Sequence, residues 1–419
     1  MKLEYNWKKN ITLFLVGQAF SIFGSLLVQY AIVWYITLKT GSGSMMTVFI
    51  LAGVLPTFFI SPFAGVWADR FNRKYLINGA DASIAVTTLI VALFFIAGFE
   101  NTWLLLICAA LRALGQGVQL PAVNALIPQI IPPEYLTRIN GINSSIQSTA
   151  MLTAPMVSGA LLQFASINII FFLDVITAAI GIGIVFCCVK IPAVSREATS
   201  GGQHPEAQTG EQQAQGIDYF RDLREGVRYI KSHKYILRLI VISILFFIAV
   251  SPTAFLTTLQ VTRNFGPDIW RLTAIEMAFS SGMMLGGMII GFWGGFKNRV
   301  HTMALACAFF GVEAIGLGLL SNFWLYVAVM GIMGVTMPIY NTPSMVMIQS
   351  RVDSAYMGRV SSVFSMISSL MMPAGMVIFG PLADLISIDI ILIITGTLIS
   401  FLALPFMFSR SLRAAGLPC

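Results

Sequence analysis

The chain has 419 residues, 57% of them hydrophobic and 10% charged, and a formal net charge of +7. So few charges cannot cover a water-exposed surface, which excludes a soluble enzyme or nucleic-acid-binding domain. Apolar runs recur instead at about the twenty residues needed to cross a bilayer. Twelve are read, at 11–38, 45–68, 75–98, 103–127, 141–164, 169–190, 236–260, 272–296, 300–320, 324–349, 360–383 and 390–409. They predict an all-α, multi-pass membrane protein. The first run is too long for a signal-peptide core and gives way at once to another, so it is read as a retained helix.

In run 1, Gln18, Ser21, Ser25 and Gln29 follow an i, i+3, i+7, i+11 spacing that sets all four within about 40° of one another on a helix. Such a stripe either faces a wet path or bonds to neighbouring helices. Run 2 ends in Gly65-Val66-Trp67-Ala68-Asp69-Arg70-Phe71-Asn72-Arg73-Lys74, which crowds four charges into the gap before run 3. Run 3 carries Asp81, and run 4 carries Arg112 with Gln116 and Gln119 on a similar stripe. An ionisable side chain inside a bilayer costs at least ~2.5 kcal/mol, so each needs a partner, a wet cavity or a functional reason. Arg112 lies about 14 Å deep at the helical rise per residue, and its positive charge calls for a nearby carboxylate. Asp81 either supplies that carboxylate or braces the loop after run 2. Asp174 in run 6 lies about 9 Å beyond the nearest external polar residue and is read as a shallow, structural acid.

Residues 191–235 interrupt the apolar pattern. Within them 195–216 read as a linker, and 217–235 as an amphipathic helix at the inner surface. The chain therefore divides into an N-terminal six-helix bundle at 1–190, the linker with its helix, and a C-terminal six-helix bundle at 236–419. Glu276 in run 8 is about 7 Å from external polar residues. Run 8 ends in Gly291-Phe292-Trp293-Gly294-Gly295-Phe296-Lys297-Asn298-Arg299, an echo of the earlier loop with glycine where Asp69 stood. Glu313 follows in run 9. A carboxylate in apolar surroundings stays protonated until water enters, as a proton carrier requires; the other reading is an acid bonded to a neighbour. Met333 and Met337 lie one turn before Tyr340 in run 10, a pliable wall able to accept bulky apolar shapes. Internal similarity marks duplicated halves. Pro121-Ala122-Val123-Asn124 is matched by Pro338-Ile339-Tyr340-Asn341, and Tyr135-Leu136-Thr137-Arg138 by Tyr356-Met357-Gly358-Arg359.

Positive residues near helix ends are retained on the cytoplasmic side. With the first residue inside, all of the 25 lysines and arginines fall there except Lys39, Arg112, Arg263 and Arg271. Both termini are expected in the cytoplasm, and the basic balance reports topology, not a nucleic-acid partner. The five cysteines and three histidines form no ligand spacing, so no metal is expected. No phosphate-binding loop is present; no cofactor is expected, and a gradient or partner must supply the energy.

The loop at 65–74, its echo at 291–299 and the paired repeats resemble the major facilitator superfamily, and the likeness covers nearly the whole chain. It implies twelve transmembrane helices in two six-helix bundles, with helices 1, 4, 7 and 10 lining a central path. Within the superfamily the chain is similar to the macrolide-efflux group of drug:proton antiporters, through Gly17-Gln18-Ala19 with Gln29, Lys39-Thr40-Gly41-Ser42, Gly79-Ala80-Asp81, Pro121 with Asn124, and Ser281-Gly282-Met283. The segment from Arg112 to Gly117 resembles a motif tied to proton coupling. By contrast, Ala150 and Ala154 stand where the antiporter motif before Pro155 has glycines.

The resemblance implies export of an amphipathic drug, a macrolide antibiotic, in exchange for protons across a bacterial cell membrane, with lipid as surroundings. Proton coupling is assigned to Asp81, Arg112, Glu276 and Glu313. Gln18, Ser21, Ser25, Gln29, Gln116, Gln119, Met333, Met337 and Tyr340 form the expected substrate wall. Gly65, Asp69, Arg70, Arg73 and Arg359 form the expected gate, in which Asp69 meets the positive end of the eleventh helix. A siderophore exporter, a solute importer and a non-transport receptor are the alternatives.

Overall fold

A computed structural model describes residues 6–189, 219–353 and 356–417; the side chains of Asp69, 219–223 and 410–411 are not among those described. The expected linker at 195–216 lies outside them. Every regular element is helical among the described residues. The first six α-helices are α1 (Trp7–Thr40), α2 (Gly43–Arg70), α3 (Arg73–Ile96), α4 (Thr102–Ile130), α5 (Leu136–Phe164) and α6 (Ile167–Cys188). After the linker come α7 (Tyr219–Ser232), α8 (Lys234–Phe255), α9 (Thr257–Asn264), α10 (Ile269–Trp293), α11 (Arg299–Leu319), α12 (Phe323–Arg351), α13 (Met357–Leu385), α14 (Ile388–Phe408) and α15 (Arg410–Ala415).

Among the described residues, eleven segments are long and apolar enough to cross a membrane, with α8 and α9 forming one of them. Pro252 stands one turn before the break between those two helices; it has no N–H for the Ile248 carbonyl, which accepts the Ser251 hydroxyl at 2.8 Å. Helix α5 is equally long but less apolar. Its first half carries Ser144, Ser145, Gln147, Ser148 and Thr149, all exposed.

Helix starts follow local chemistry. Asn6, Asn72, Asn101, Asn298 and Asn322 accept backbone N–H groups at the starts of α1, α3, α4, α11 and α12, satisfying donors that an apolar medium would leave without partners. Asn72 and Asn298 occupy the same place in the two copies of the charged loop, so one cap serves both.

Helices α1 to α6 pack mainly on one another, as do α8 and α10 to α14; α2 with α13, α5 with α10 and α1 with α9 join the two sets. The apolar core of the second set holds the fully buried Tyr326, Tyr340, Phe246, Phe310 and Phe406. Helix α7 buries Gly226, Tyr229 and Ile230 and exposes Arg224, Arg228 and Lys231. Its apolar face rests on α13, where Tyr229 stacks on Tyr356 at 4.6 Å and bonds to Asp353 at 3.0 Å. The amphipathic helix thus covers protein as well as facing outward.

Small residues bring α10 and α12 together. A Cβ added at Gly334 would lie 2.2 Å from the carbonyl oxygen of Phe279, whereas one at Gly287 would meet open space. Gly334→Val should therefore force the helices apart, at a cost of about 1–3 kcal/mol. Expressed in parallel and heated in detergent, Gly334→Val is expected to show a lower thermal midpoint and yield, with Gly287→Val close to the parent. Equal behaviour of the two variants would refute the seam.

Candidate functional site

A cavity of about 320 Å³ lies where α1, α2 and α4 meet α8, α9 and α10. Its wall is mostly apolar, with Tyr30, Phe49 and Phe255 as aromatic surfaces and Gln29, Gln116, Thr258, Arg112 and Glu276 as polar groups. A mainly apolar pocket with a few directed polar groups is the usual form of a small-molecule site.

The two charges lining it are in opposite situations. Arg112 is buried in the first set of helices, where Nη1 donates to Asp174 at 2.5 Å and also bonds Thr88. Nη2 donates to the Ser25 carbonyl at 3.3 Å. Thr88 in turn donates to Asp174 at 2.9 Å. Asp174, expected to be shallow, is only 1% exposed. The correction has a simple cause: distance along one helix does not count the neighbours that cover a side chain. Asp81 has different partners. Its Oδ1 accepts Ser21 at 2.7 Å and Gln119 at 2.5 Å. The antiparallel register of α3 and α4 that sets Thr88 beside Arg112 also sets Asp81 beside Gln119, two turns away. Glu276, by contrast, has no hydrogen-bond or ion-pair partner among the described residues. Glu313 is buried between α11 and α12 with Thr336 at 2.8 Å and does not line the cavity.

The expected wall therefore divides. Gln29 and Gln116 line the cavity, but Gln18, Ser21, Ser25 and Gln119 do not. Gln18 and Ser21 are buried, and a Cβ at Gly17 would already touch Val185 and Gly181 of α6. Ser21 thus bonds Asp81 of α3, as polar residues commonly do between membrane helices, whereas Gln18 is buried with its Nε2 without a hydrogen-bond partner among the described residues. Met333 and Tyr340 are in the core of the second set, with Met337 packed against it. Tyr340 stacks on Phe246 at 3.9 Å and its hydroxyl is 3.2 Å from that of Ser243. Its aromatic bulk fills the bundle and does not face the cavity.

One end of the molecule is bound together by Asp384, a residue the sequence analysis passed over. At the last turn of α13, its carboxylate accepts the N–H groups of Gly43 and Ser44 at 2.7 and 3.0 Å. It also accepts the hydroxyls of Ser42 and Ser44 at 2.9 and 2.6 Å. An anion at a helix N-terminus meets both free donors and the positive end of the dipole. Arg263 of α9 lies 3.5 Å from the same carboxylate and donates to the carbonyls of Gly41 and Ala383, each at 2.7 Å. Close by, Thr47 donates to the Met376 carbonyl at 2.9 Å. The signal was present in the chain: Ala383-Asp384 ends α13 as Ala68-Asp69 approaches the end of α2.

At the opposite ends of these helices, Arg73 donates to the carbonyls of Ala68 and Ala125, both at 2.8 Å. Arg70 is exposed and Gly65 half-buried. Arg359 pairs with Glu225 of α7 at 3.0 Å. The Asp69 side chain, central to the expected gate, lies outside those described. In the second loop copy, Gly295 has φ +81 and a Cβ there would press on Thr302. An aspartate at that position would be strained, because the chain turns there in a conformation that L side chains rarely adopt.

The family model described as Major Facilitator Superfamily matches residues 14–376. Macrolide efflux protein A of Streptococcus pyogenes is 29% identical over 406 residues, 96% of each chain. Macrolide efflux protein A of Enterococcus faecalis is 28% identical over 338 residues, 80% of this chain and all of that one. The solved structure of the POT family transporter PepTSo aligns over 98% of this chain and 99% of its own with a TM-score of 0.71 at 11% identity, a likeness of fold alone.

The Arg112–Asp174 pair generates a prediction. Asp174→Asn or Arg112→Met alone leaves one buried charge without its partner, a loss of about 3–5 kcal/mol. Joint replacement by Arg112→Met and Asp174→Leu removes both charges and should be less damaging than either single change. Thermal midpoints of the three purified variants would test this; a double variant as unstable as the two losses added together would disprove the pairing.

Proposed function

The chain belongs to the major facilitator superfamily, and from that premise we propose that it exports amphipathic drugs, macrolides among them, in exchange for protons. It is a multi-pass transporter of a bacterial cell membrane, not an enzyme. We assign it twelve spans, with α5 as the fifth, grouped into bundles at 1–190 and 236–419 that rock about the cavity. Both termini are then cytoplasmic, as retention of positive residues on that side favours.

The cavity carries this reading. It lies between helices of both sets, its wall is apolar and aromatic, and its polar groups are few. At about 320 Å³ it is at the small end of drug-binding sites, in keeping with a partly closed state. On the assigned topology the Asp384 end faces the exterior. Its bonds hold that side shut, and breaking them is part of releasing the drug outward. Asp69 supplies the matching contact on the cytoplasmic side when the bundles rock the other way. The relatives named for macrolide efflux support that choice of drug. An anionic siderophore is disfavoured because Arg112, the one cation lining the cavity among the described residues, is already neutralised by Asp174.

For coupling, Glu276 and Arg112 both line the cavity, while Asp174 and Asp81 lie behind it. A carrier that alternates between protonated and ionised forms must meet water from each side in turn. Glu276 meets that requirement most directly, and Glu313 least.

Expression in an efflux-deficient bacterial host should raise the inhibitory concentration of macrolides several-fold, and a protonophore should remove the difference. Unchanged susceptibility to every amphipathic drug, with the protein present in the membrane, would refute export. In proteoliposomes with an imposed pH gradient, Glu276→Gln should stop uphill transport and spare downhill exchange; Asp81→Asn and Glu313→Gln are the comparisons. Uphill pumping by all three would refute coupling through these acids.

The gate has a separate test. In a protein cleared of its native cysteines, Ile50→Cys in the cavity wall should react faster with an external, impermeant thiol reagent once Asp384→Asn is added. No change in rate would exclude Asp384 as the external latch.

A further inference from the structure

We propose that the groove between α8 and the α14–α15 corner binds one anionic phospholipid, its phosphate held by Arg238 and Ser409 and an acyl chain lying along the apolar wall.

The groove, of about 480 Å³, is larger than the central cavity and shares no residue with it. Lys234 starts α8 and Phe408 ends α14, so on the assigned topology the groove opens at the cytoplasmic side of the membrane. Its residues are sorted by depth. Arg238 stands four residues after the first of α8, about 6 Å along the helix, and Ser409 follows the last residue of α14. Leu237, Val241, Pro405 and Phe408 form much of the wall. Leu237, Val241 and Phe408 are 37%, 46% and 73% exposed, so the described chain leaves this wall open. Polar groups at the rim with apolar ones alongside and deeper match a phospholipid, whose phosphate stays at the interface while its chains run inward.

Charge then narrows the headgroup. Arg238 is the one charged residue lining the groove among the described residues. Its Nη1 donates to Ser409 Oγ at 3.1 Å, and no carboxylate pairs with it among the described residues. The rest of the guanidinium fork is left to grip phosphate oxygens. Ser409 Oγ accepts from Arg238 and also from the Leu412 N–H at 3.4 Å. With both acceptor positions taken, the hydroxyl hydrogen remains as a second donor for the same phosphate. Lys234, one turn before Arg238, and Arg413, next to Leu412, are both exposed and add positive field. A zwitterionic headgroup would bring an ammonium to a lining without an acid, so a headgroup of net negative charge is preferred. A soluble anion would leave the apolar wall uncovered.

Lipid binding can be counted directly. The full-length protein, purified in detergent, would be titrated with dioleoylphosphatidylglycerol or dioleoylphosphatidylcholine, and the first bound lipid read by native mass spectrometry. The wild type should bind phosphatidylglycerol about five-fold more tightly than phosphatidylcholine, the contribution of one interfacial arginine. Arg238→Gln should bring the two within about two-fold. Arg138→Gln, which removes an exposed arginine near the start of α5, should leave the preference intact. Val241→Trp fills the groove beside an unaltered Arg238 and should weaken phosphatidylglycerol about three-fold or more. Excess glycerol 3-phosphate should not displace the lipid. A wild type without preference overturns the proposal, as does a preference that survives Arg238→Gln. Equal loss in Arg138→Gln would mean an annular lipid drawn by overall charge only, and would also overturn it. So would binding unchanged by Val241→Trp, which decides the matter if Arg238→Gln does not fold. Displacement by glycerol 3-phosphate would make this a soluble-anion site, and failure of both lipids to bind would leave the groove to a protein segment; either result refutes the lipid. Because binding is read in detergent without a gradient, the outcome is independent of drug export.

Discussion

A charge inside an apolar bundle must be matched where it lies, and the first set of helices is arranged around the match between Arg112 and Asp174. The pair ties α4 to α6, Thr88 brings in α3, and the Ser25 carbonyl brings in α1. Four helices thus share one electrostatic contact. Two turns along, Ser21, Asp81 and Gln119 join α1, α3 and α4 again. Burial of these groups is costly unless every partner is present, so the network specifies one register of the helices more sharply than apolar packing alone.

That internal neutralisation shapes the cavity. Because Arg112 is satisfied within its own bundle, the polar character of the space between the two sets comes chiefly from Glu276, Gln29 and Gln116. The second set contributes an aromatic core, with Tyr340 stacked on Phe246, and few buried charges. The two halves are alike in helix caps and unlike in chemistry. Both have close glycine contacts, at Gly17 and Gly117 in the first set and Gly282 and Gly334 in the second; the first is built around an ion pair, the second around its aromatic core.

The contacts between the sets follow the ends of α2 and α13. Asp384 satisfies the free N–H groups at the start of α2, and Arg263 adds a third element to the joint. Such a joint suits a moving part. It is made of hydrogen bonds at an accessible helix end, where water can replace each one, whereas the Arg112–Asp174 pair lies beyond water and cannot be exchanged in that way.

The all-helical, membrane-spanning character of the chain and its charged loops were legible from the sequence, because the length of apolar runs is set by the bilayer. The family match over residues 14–376 agrees with the resemblance read from those loops. α5 shows where composition becomes ambiguous: the exposed serines and Gln147 that lower its hydropathy belong to a helix as long as its neighbours. The site was legible only in part. Arg112, Glu276, Gln29 and Gln116 were singled out by cost and spacing, since a polar residue in an apolar run is conspicuous whatever it touches. Which of them meet was decided in three dimensions. The structural role read for Asp174 agrees with its pair with Arg112, but its contact with water was misjudged because depth along one helix says nothing of the helices beside it. Gln18, Ser21 and Tyr340 fell on packed faces because the direction of a stripe does not reveal its neighbour. Asp384 escaped notice because its hydrogen-bond partners at the start of α2 are over three hundred residues away in the chain and beside it in space. The sequence by itself determined how many charges the bundle must accommodate; only the tertiary structure decided which are neutralised and which face the cavity, because pairing depends on how helices distant in sequence are set side by side.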